Sequence, residues 1–297
     1  MYKLLGIQKN AFPRVALLIG AVIWGLLWYP YRLLEHVDIN GPTAAAITYL
    51  IALLLGLILF KRSLRVSHLF DDKPYLLFWI GLLVGCASMA YILGVTHGVV
   101  MRVLLLFYLA PLWTIIFARL LLQEKLSLHG YWVISLSLTG VATMLWQPSS
   151  NFPIPSSYSD WMGLAGGITF ALSNVLIRKD QGHSIQLKSL AVWLGVVLVG
   201  LSYSLFMPMS HALTDISLDS WLLLLGTGLI VFVLSLFVQY GLTQVPANQA
   251  IVILLFELVV AAVAVYLLTD ETMTLREWIG GAMIVSASLF SSRMNQE

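Results

Sequence analysis

Ten apolar runs, each near the ~20 residues that cross a bilayer, follow one another with little polar chain between them. Broken at its Pro, Gly, Asp and Lys clusters, the sequence gives segments at 13–34, 42–60, 74–95, 99–121, 127–146, 159–178, 186–207, 219–241, 246–268 and 274–292. Runs of this length cannot wrap around a water-facing surface. Composition agrees: 10% of residues are charged, against about 25% in a soluble domain. The expected class is an all-α membrane protein of ten transmembrane helices. Several starts carry helix signals. Pro42 and Pro74 fall at first-turn positions, and Thr274 with Glu277 reads as a capping box.

Charge sets the orientation. With the N-terminus inside, thirteen of the sixteen Lys and Arg fall on the inner side. These are Lys3, Lys9, Arg14, Lys61, Arg62, Arg65, Lys73, Arg119, Lys125, Arg178, Lys179, Lys188 and Arg293. Only Arg32, Arg102 and Arg276 fall outside. Both termini are therefore expected in the cytoplasm. A net charge of +2 without a basic block argues against nucleic acid as a partner. The single cysteine, Cys86, excludes an internal disulfide and a multi-cysteine metal site. It reads as inert packing. The N-terminus does not read as a cleaved signal, because its apolar run continues to about Leu34.

The chain divides at a Pro- and Ser-rich connection. Residues 1–147 are expected to form a first five-helix repeat, 148–158 a linker, and 159–297 a second five-helix repeat. The two resemble each other at an offset of 147 residues. Gly81-Leu82 matches Gly228-Leu229, Ser88 matches Ser235, Gly94 matches Gly241, Thr96 matches Thr243, and Glu124 matches Glu271. At an offset of 146, Arg32 matches Arg178. Five helices is an odd number, so the second repeat enters the membrane upside down. Inverted repeats of this kind place a binding site near the midplane between them.

The run PLWTIIFARLLLQEKLSLHGYWVISLSLTGV, Pro111 to Val141, resembles the end-of-repeat signature of the EamA-type drug/metabolite transporter superfamily. A mid-helix proline is followed by a glutamate at the helix end, a polar turn and a final helix rich in small residues. The second half echoes it from Leu258 through Glu271 to Gly280, Gly281 and Ser286. It departs at one place: Leu258 stands at the position of Pro111, with Glu257 just before it where the first half has Ala110. The resemblance implies that helices 1, 3, 4, 6, 8 and 9 line a central cavity and that helices 5 and 10 are peripheral.

Glu257 is the leading candidate for function. A carboxylate at mid-span costs roughly 3 kcal/mol on insertion scales. Its helical face carries Pro246, Ala250, Leu254, Ala261 and Ala264, mostly small. The functional reading is a proton-coupling site or a counter-charge for an amine; the structural one is a paired carboxyl that holds helices together. Trp24, Trp28 and Tyr31 make an aromatic stripe on helix 1 with Tyr29 beside it. Tyr29 and Tyr31 read as interfacial anchors, and the Trp24 and Trp28 pair as cavity lining suited to a cation or an aromatic substrate, or as lipid-facing or core packing. Asn174 beside Ser173, Tyr91 beside Ser88, and Gln239 beside Ser235 are further candidates for substrate contact. Arg102 is either an interfacial residue that snorkels outward or a counter-charge for a substrate carboxylate, on the face of Trp113. Gly163/Gly167 and Gly81/Gly85 read as close helix packing. Glu35, His36 and His97 lie near the outer surface as gate or entry groups. Glu124 and Glu271 end helices in both halves and read as structural caps.

No enzyme constellation or phosphate loop occurs, so no cofactor, metal or ATPase is expected. The reading is a secondary active transporter, working by alternating access with proton coupling or exchange. Its partners are a small-molecule substrate, the lipid bilayer and protons, with homodimerisation left open. The resemblance implies export of amino acids or amines across the bacterial inner membrane. The alternatives are a transporter of cationic drugs or quaternary amines, and a membrane-embedded enzyme acting on a lipid-like substrate through Glu35, His36, Asp38 and His97.

Overall fold

The computed structural model describes residues 12–61, 73–123, 128–147, 152–153, 155–206, 216–245, 250, 253–254 and 256–291. Lys3, Lys9, Arg62, Arg65, Glu124, Lys125, Arg293, Pro246 and the linker residues 148–151 and 154 lie outside them. Among the described residues there are ten helices, when one broken element is counted once. They are α1 (Phe12–Glu35), α2 (Gly41–Phe60), α3 (Tyr75–His97), α4 (Val100–Leu122), α5 (Leu128–Leu145), α6 (Tyr158–Lys179), α7 (Ile185–Ser204), α8 (Leu218–Gln244), α9 (Phe256–Leu268) and α10 (Leu275–Ser291). Seven of them, α1 to α4 and α6 to α8, are long and apolar enough to cross a membrane. The departure from all-α is a short ribbon in the connection, where Trp146–Gln147 pairs antiparallel with Phe152–Pro153.

The termini of these helices are set by local chemistry. Asn40 accepts the Thr43 N–H ahead of α2, with Pro42 in the first turn. Ser157 and Asp160 form a capping box on α6. Thr274 and Glu277 bond reciprocally at the start of α10, as the sequence suggests. Outward faces are apolar, with Ile58, Leu59, Phe78, Tyr266 and Leu267 all exposed. A bilayer would cover such a surface.

Helix α4 breaks in the middle. Pro111 has no N–H to return to the carbonyl of Phe107, so the ladder fails there. The two halves, Val100–Phe107 and Ala110–Leu122, meet at Tyr108 and Leu109. The freed Phe107 carbonyl lies against Gly167 of α6, where a Cβ would come within 2.3 Å of it.

The most extensive helix contacts all join residues 12–147 to residues 158–291. Helix α1 packs on α8 and α9, and α6 packs on α3 and α4. Helix α2 packs on α7 and α5 on α10. The pattern is unchanged when each helix is exchanged for the one five places along, and the main hydrophobic core is shared by both halves. Glycines bring the backbones together. A Cβ on Gly195 of α7 would lie 2.0 Å from the Gly81 carbonyl oxygen, and one on Gly81 would lie 2.4 Å from that of Ala191. Gly195→Ala is expected to destabilise the detergent-purified protein by about 1–3 kcal/mol or more. Gly226→Ala, which meets nothing within 4 Å, should leave the melting temperature unchanged or raise it. Equal melting temperatures for the two variants would show that the α3–α7 approach tolerates more space than the geometry allows.

Candidate functional site

Where the two halves meet they leave a cavity of about 820 Å³ of empty space, its open mouth included. Helix α1 contributes Trp24, Leu27 and Tyr31, and α3 contributes Val84, Ala87, Ser88, Tyr91 and Ile92. The break in α4 supplies Phe107, α6 supplies Phe170, Asn174 and Ile177, and α8 supplies Ser235, Val238, Gln239 and Leu242. Tyr49 of α2 and Val192 of α7 complete the wall with Glu257 of α9. Among the described residues, helices α5 and α10 contribute nothing to it. Many lining residues come in pairs at the repeat offset: Trp24 with Phe170, Tyr31 with Ile177, Ser88 with Ser235, Tyr91 with Val238, and Ile92 with Gln239. Trp24 and Phe170 touch edge to face, with centroids 5.9 Å apart.

Glu257 is buried at 4% exposure. Gly25 lets α1 approach its backbone, since a Cβ there would be 2.8 Å from the Glu257 carbonyl oxygen. The Tyr108 hydroxyl donates to Glu257 Oε2 and also lies 3.0 Å from the carbonyl oxygen of Leu254. Tyr108 sits in the α4 break, so the proline that interrupts that helix also presents the phenol to the carboxyl.

Three other polar groups of the wall have buried atoms without a hydrogen-bond partner among the described residues. They are the Tyr91 hydroxyl, Asn174 Nδ2 and Gln239 Oε1. Six further such atoms lie off it, on Trp28, Trp113, Thr114, His183, Ser189 and Trp193. Buried polar atoms are nearly always paired, and three gathered around one cavity argue that they serve something that enters it. Ser173, beside Asn174, instead donates to its own helix at the Phe170 carbonyl.

Five of the residues singled out from sequence thus share one cavity: Trp24, Tyr91, Asn174, Gln239 and Glu257. Trp28, Trp113 and Arg102 lie off it. Trp28 is fully buried, with the Arg32 guanidinium 5.4 Å from its ring centroid. Trp113 packs against the apolar core. Arg102 neither snorkels nor meets the cavity. It bonds Asp160 through Nε at 2.7 Å and Nη2 at 2.9 Å, and reaches Glu277 at 3.5 Å. The two acids come from α6 and α10, a pairing that helical periodicity in one segment cannot reveal.

Several other charges are also held. Arg32 pairs with Glu271 at 2.7 Å and donates to the carbonyls of Val95 and Gly98. Glu271 accepts the Val100 N–H, so this cap serves the start of α4 rather than the helix that follows it in sequence. Lys188, counted among the cytoplasmic charges, is fully buried and donates to the carbonyls of Ile177 and Asp180 at the end of α6. A cation there complements the helix dipole. Glu35 accepts the Gly41 N–H and stands 3.8 Å from His97.

Sequence reasoning missed Tyr108, Tyr49, Phe107 and Phe170. For Tyr108 a signal was present, three residues before a mid-helix proline. Phe170 was legible as the repeat mate of Trp24. Tyr49 and Phe107 carried no signal beyond apolar periodicity.

Residues 13–146 and 157–293 match the family described as the EamA-like transporter family. An "Uncharacterized transporter" of Archaeoglobus fulgidus is 27% identical over 205 residues, covering 69% of this chain and 71% of its own. A solved structure described only as "Crystal structure of protein" superposes with a TM-score of 0.68 at 16% identity, over 96% of this chain and 99% of its own. That last likeness is one of fold.

Asp160 has a side chain at 1% exposure, so Arg102→Ala would leave a buried carboxylate short of its main partner. It should lower stability by about 1–3 kcal/mol. The double variant Arg102→Ala with Asp160→Asn is expected to recover part of the loss in a melting experiment. Full retention of stability in the single variant would remove the ion pair from the fold's requirements.

Proposed function

The chain belongs to the EamA-like transporter family, and on that premise we propose a secondary active transporter that works by alternating access. Its substrates are small metabolites such as amino acids or amines, exported across the bacterial inner membrane. In this reading ten spans form two inverted five-helix repeats, 1–147 and 159–297, with both termini in the cytoplasm. Its support is the exchange symmetry of the helix contacts, the repeat-paired lining residues and the inner-side excess of Lys and Arg.

The observation that carries the reading is the cavity between the halves, with one buried carboxyl and three unpartnered polar groups in a mostly apolar wall. Binding sites have this character, mostly apolar with a few placed polar groups. Two walls from pseudo-equivalent helices suit a site that opens to either side by rocking one repeat against the other.

Glu257 is the proposed coupling group. One phenol proton on Tyr108 faces two acceptors, Glu257 Oε2 and the Leu254 carbonyl. A proton on Glu257 completes the chain, because the carboxyl then donates to the phenol oxygen and the phenol to the carbonyl. Loss of that proton leaves the two acceptors competing, and an incoming cation relieves the competition. Proton and substrate would then alternate on one carboxyl.

In proteoliposomes loaded with labelled amines and amino acids, an imposed pH gradient should drive efflux by the wild type. Glu257→Gln should lower gradient-driven flux about tenfold or more with little change in melting temperature. A variant that still answered the gradient in full would take coupling away from this residue. Tyr108→Phe should retain binding and shift the pH profile of flux. An unshifted profile would make Tyr108 a packing residue alone.

A further inference from the structure

The cavity wall has a single formal charge. Among the described residues lining it there is no Lys, Arg or His, and Glu257 is the one carboxyl. Four cations of the helix bundle are engaged elsewhere. Arg102 is held by Asp160 and Glu277. Arg32 is held by Glu271. Lys188 is spent on the carbonyls of Ile177 and Asp180. Arg178, next to the lining residue Ile177, reaches the Thr243 carbonyl at 3.4 Å and is not part of the wall.

This arrangement decides between two ligands that share an ammonium group. An amino acid brings a carboxylate as well, and that carboxylate would enter an apolar wall with no cation to receive it. The neutral donors there, the Asn174 and Gln239 amides, the Trp24 indole and the Tyr91 hydroxyl, carry no countercharge, and a desolvated anion without a cation is costly. A simple amine brings only the charge that Glu257 answers.

The wall also reads the substituents on nitrogen. Gln239 Oε1 is a buried acceptor without a partner, and Glu257 has no hydrogen bond beyond that from Tyr108 among the described residues. Two acceptors call for N–H donors. A quaternary ammonium has none, and it would leave both unanswered.

The body of the ligand meets aromatic rings. Phe107 and Phe170 have centroids 5.1 Å apart, Tyr91 stands edge-on to Phe107 at 5.8 Å, and Trp24 stands edge-on to Phe170. Such a wall holds an aryl or apolar group and stabilises a nearby cation through the ring faces.

We propose that the cavity selects a primary or secondary amine on an aromatic or apolar body and excludes the corresponding amino acid. The proposal rests on the reading of this cavity as the transport site. It narrows that reading to monocations whose nitrogen carries hydrogen.

The test compares three ligands with one ring system: tryptamine, tryptophan and N,N,N-trimethyltryptammonium. Each is titrated onto the detergent-purified protein by thermal shift and by competition against labelled tryptamine in proteoliposomes. Tryptamine should bind, tryptophan about a hundredfold or more weaker, and the trimethyl compound about tenfold or more weaker. Glu257→Gln should abolish the tryptamine response. Gln239→Leu should weaken tryptamine about tenfold and narrow its lead over the trimethyl compound. It keeps the test open where Glu257→Gln does not fold. Tryptophan binding as well as tryptamine would overturn the proposal, and so would equal binding of the trimethyl compound. Absence of response to all three would overturn it too. In each case the transport reading stands if another substrate shows Glu257-dependent flux. It falls with the proposal only if no substrate does.

Discussion

Inside an apolar bundle each polar group must find its partner within the protein, because no water competes for it. That constraint orders this structure. Arg102, Arg32 and Lys188 are each matched by acids or by carbonyls at a helix terminus. The capping pairs Ser157–Asp160 and Thr274–Glu277 do the same for backbone N–H groups. Of the nine buried side-chain atoms without a partner among the described residues, three mark a place. Tyr91, Asn174 and Gln239 converge on the cavity that Glu257 lines.

The same economy ties fold to site. Pro111 interrupts α4 and leaves Phe107 and Tyr108 at the break. The ring of Phe107 becomes part of the wall, its carbonyl sits against Gly167, and the Tyr108 phenol reaches Glu257. One residue without an N–H therefore shapes three features of the site. Glycine acts in parallel. Gly25 admits α1 to the backbone of α9, and Gly81 with Gly195 lets α3 and α7 touch along their backbones. Where side chains are absent, two helices can close on a shared cavity without filling it.

The charge balance of the wall carries the functional argument. Arg102 read in isolation is a natural partner for a substrate carboxylate. With Asp160 and Glu277 around it, it belongs to the scaffold. What is left in the cavity is one carboxyl, aromatic rings and neutral groups that donate and accept hydrogen bonds, with no cation among the described lining. A wall of that kind favours an amine over a zwitterion, and a protonated nitrogen over a quaternary one.

The sequence by itself determined the class, the approximate placing of the helices and the singular carboxyl. All three are legible along one strand of chain: length and hydropathy give apolar segments, and a lone acid in an apolar run stands out. It also picked five residues that the structure brings to one cavity. What only the tertiary structure decided is which face of each helix turns inward and what stands across from it. Trp24 and Trp28 share a stripe on α1, yet Trp24 meets the cavity and Trp28 the Arg32 guanidinium. Tyr108 finds Glu257, and Arg102 finds acids on α6 and α10, across large separations in sequence. Helical periodicity says which side chains lie above one another. The rotation of a helix and the identity of its neighbour follow from packing between distant segments, and those have no local signature.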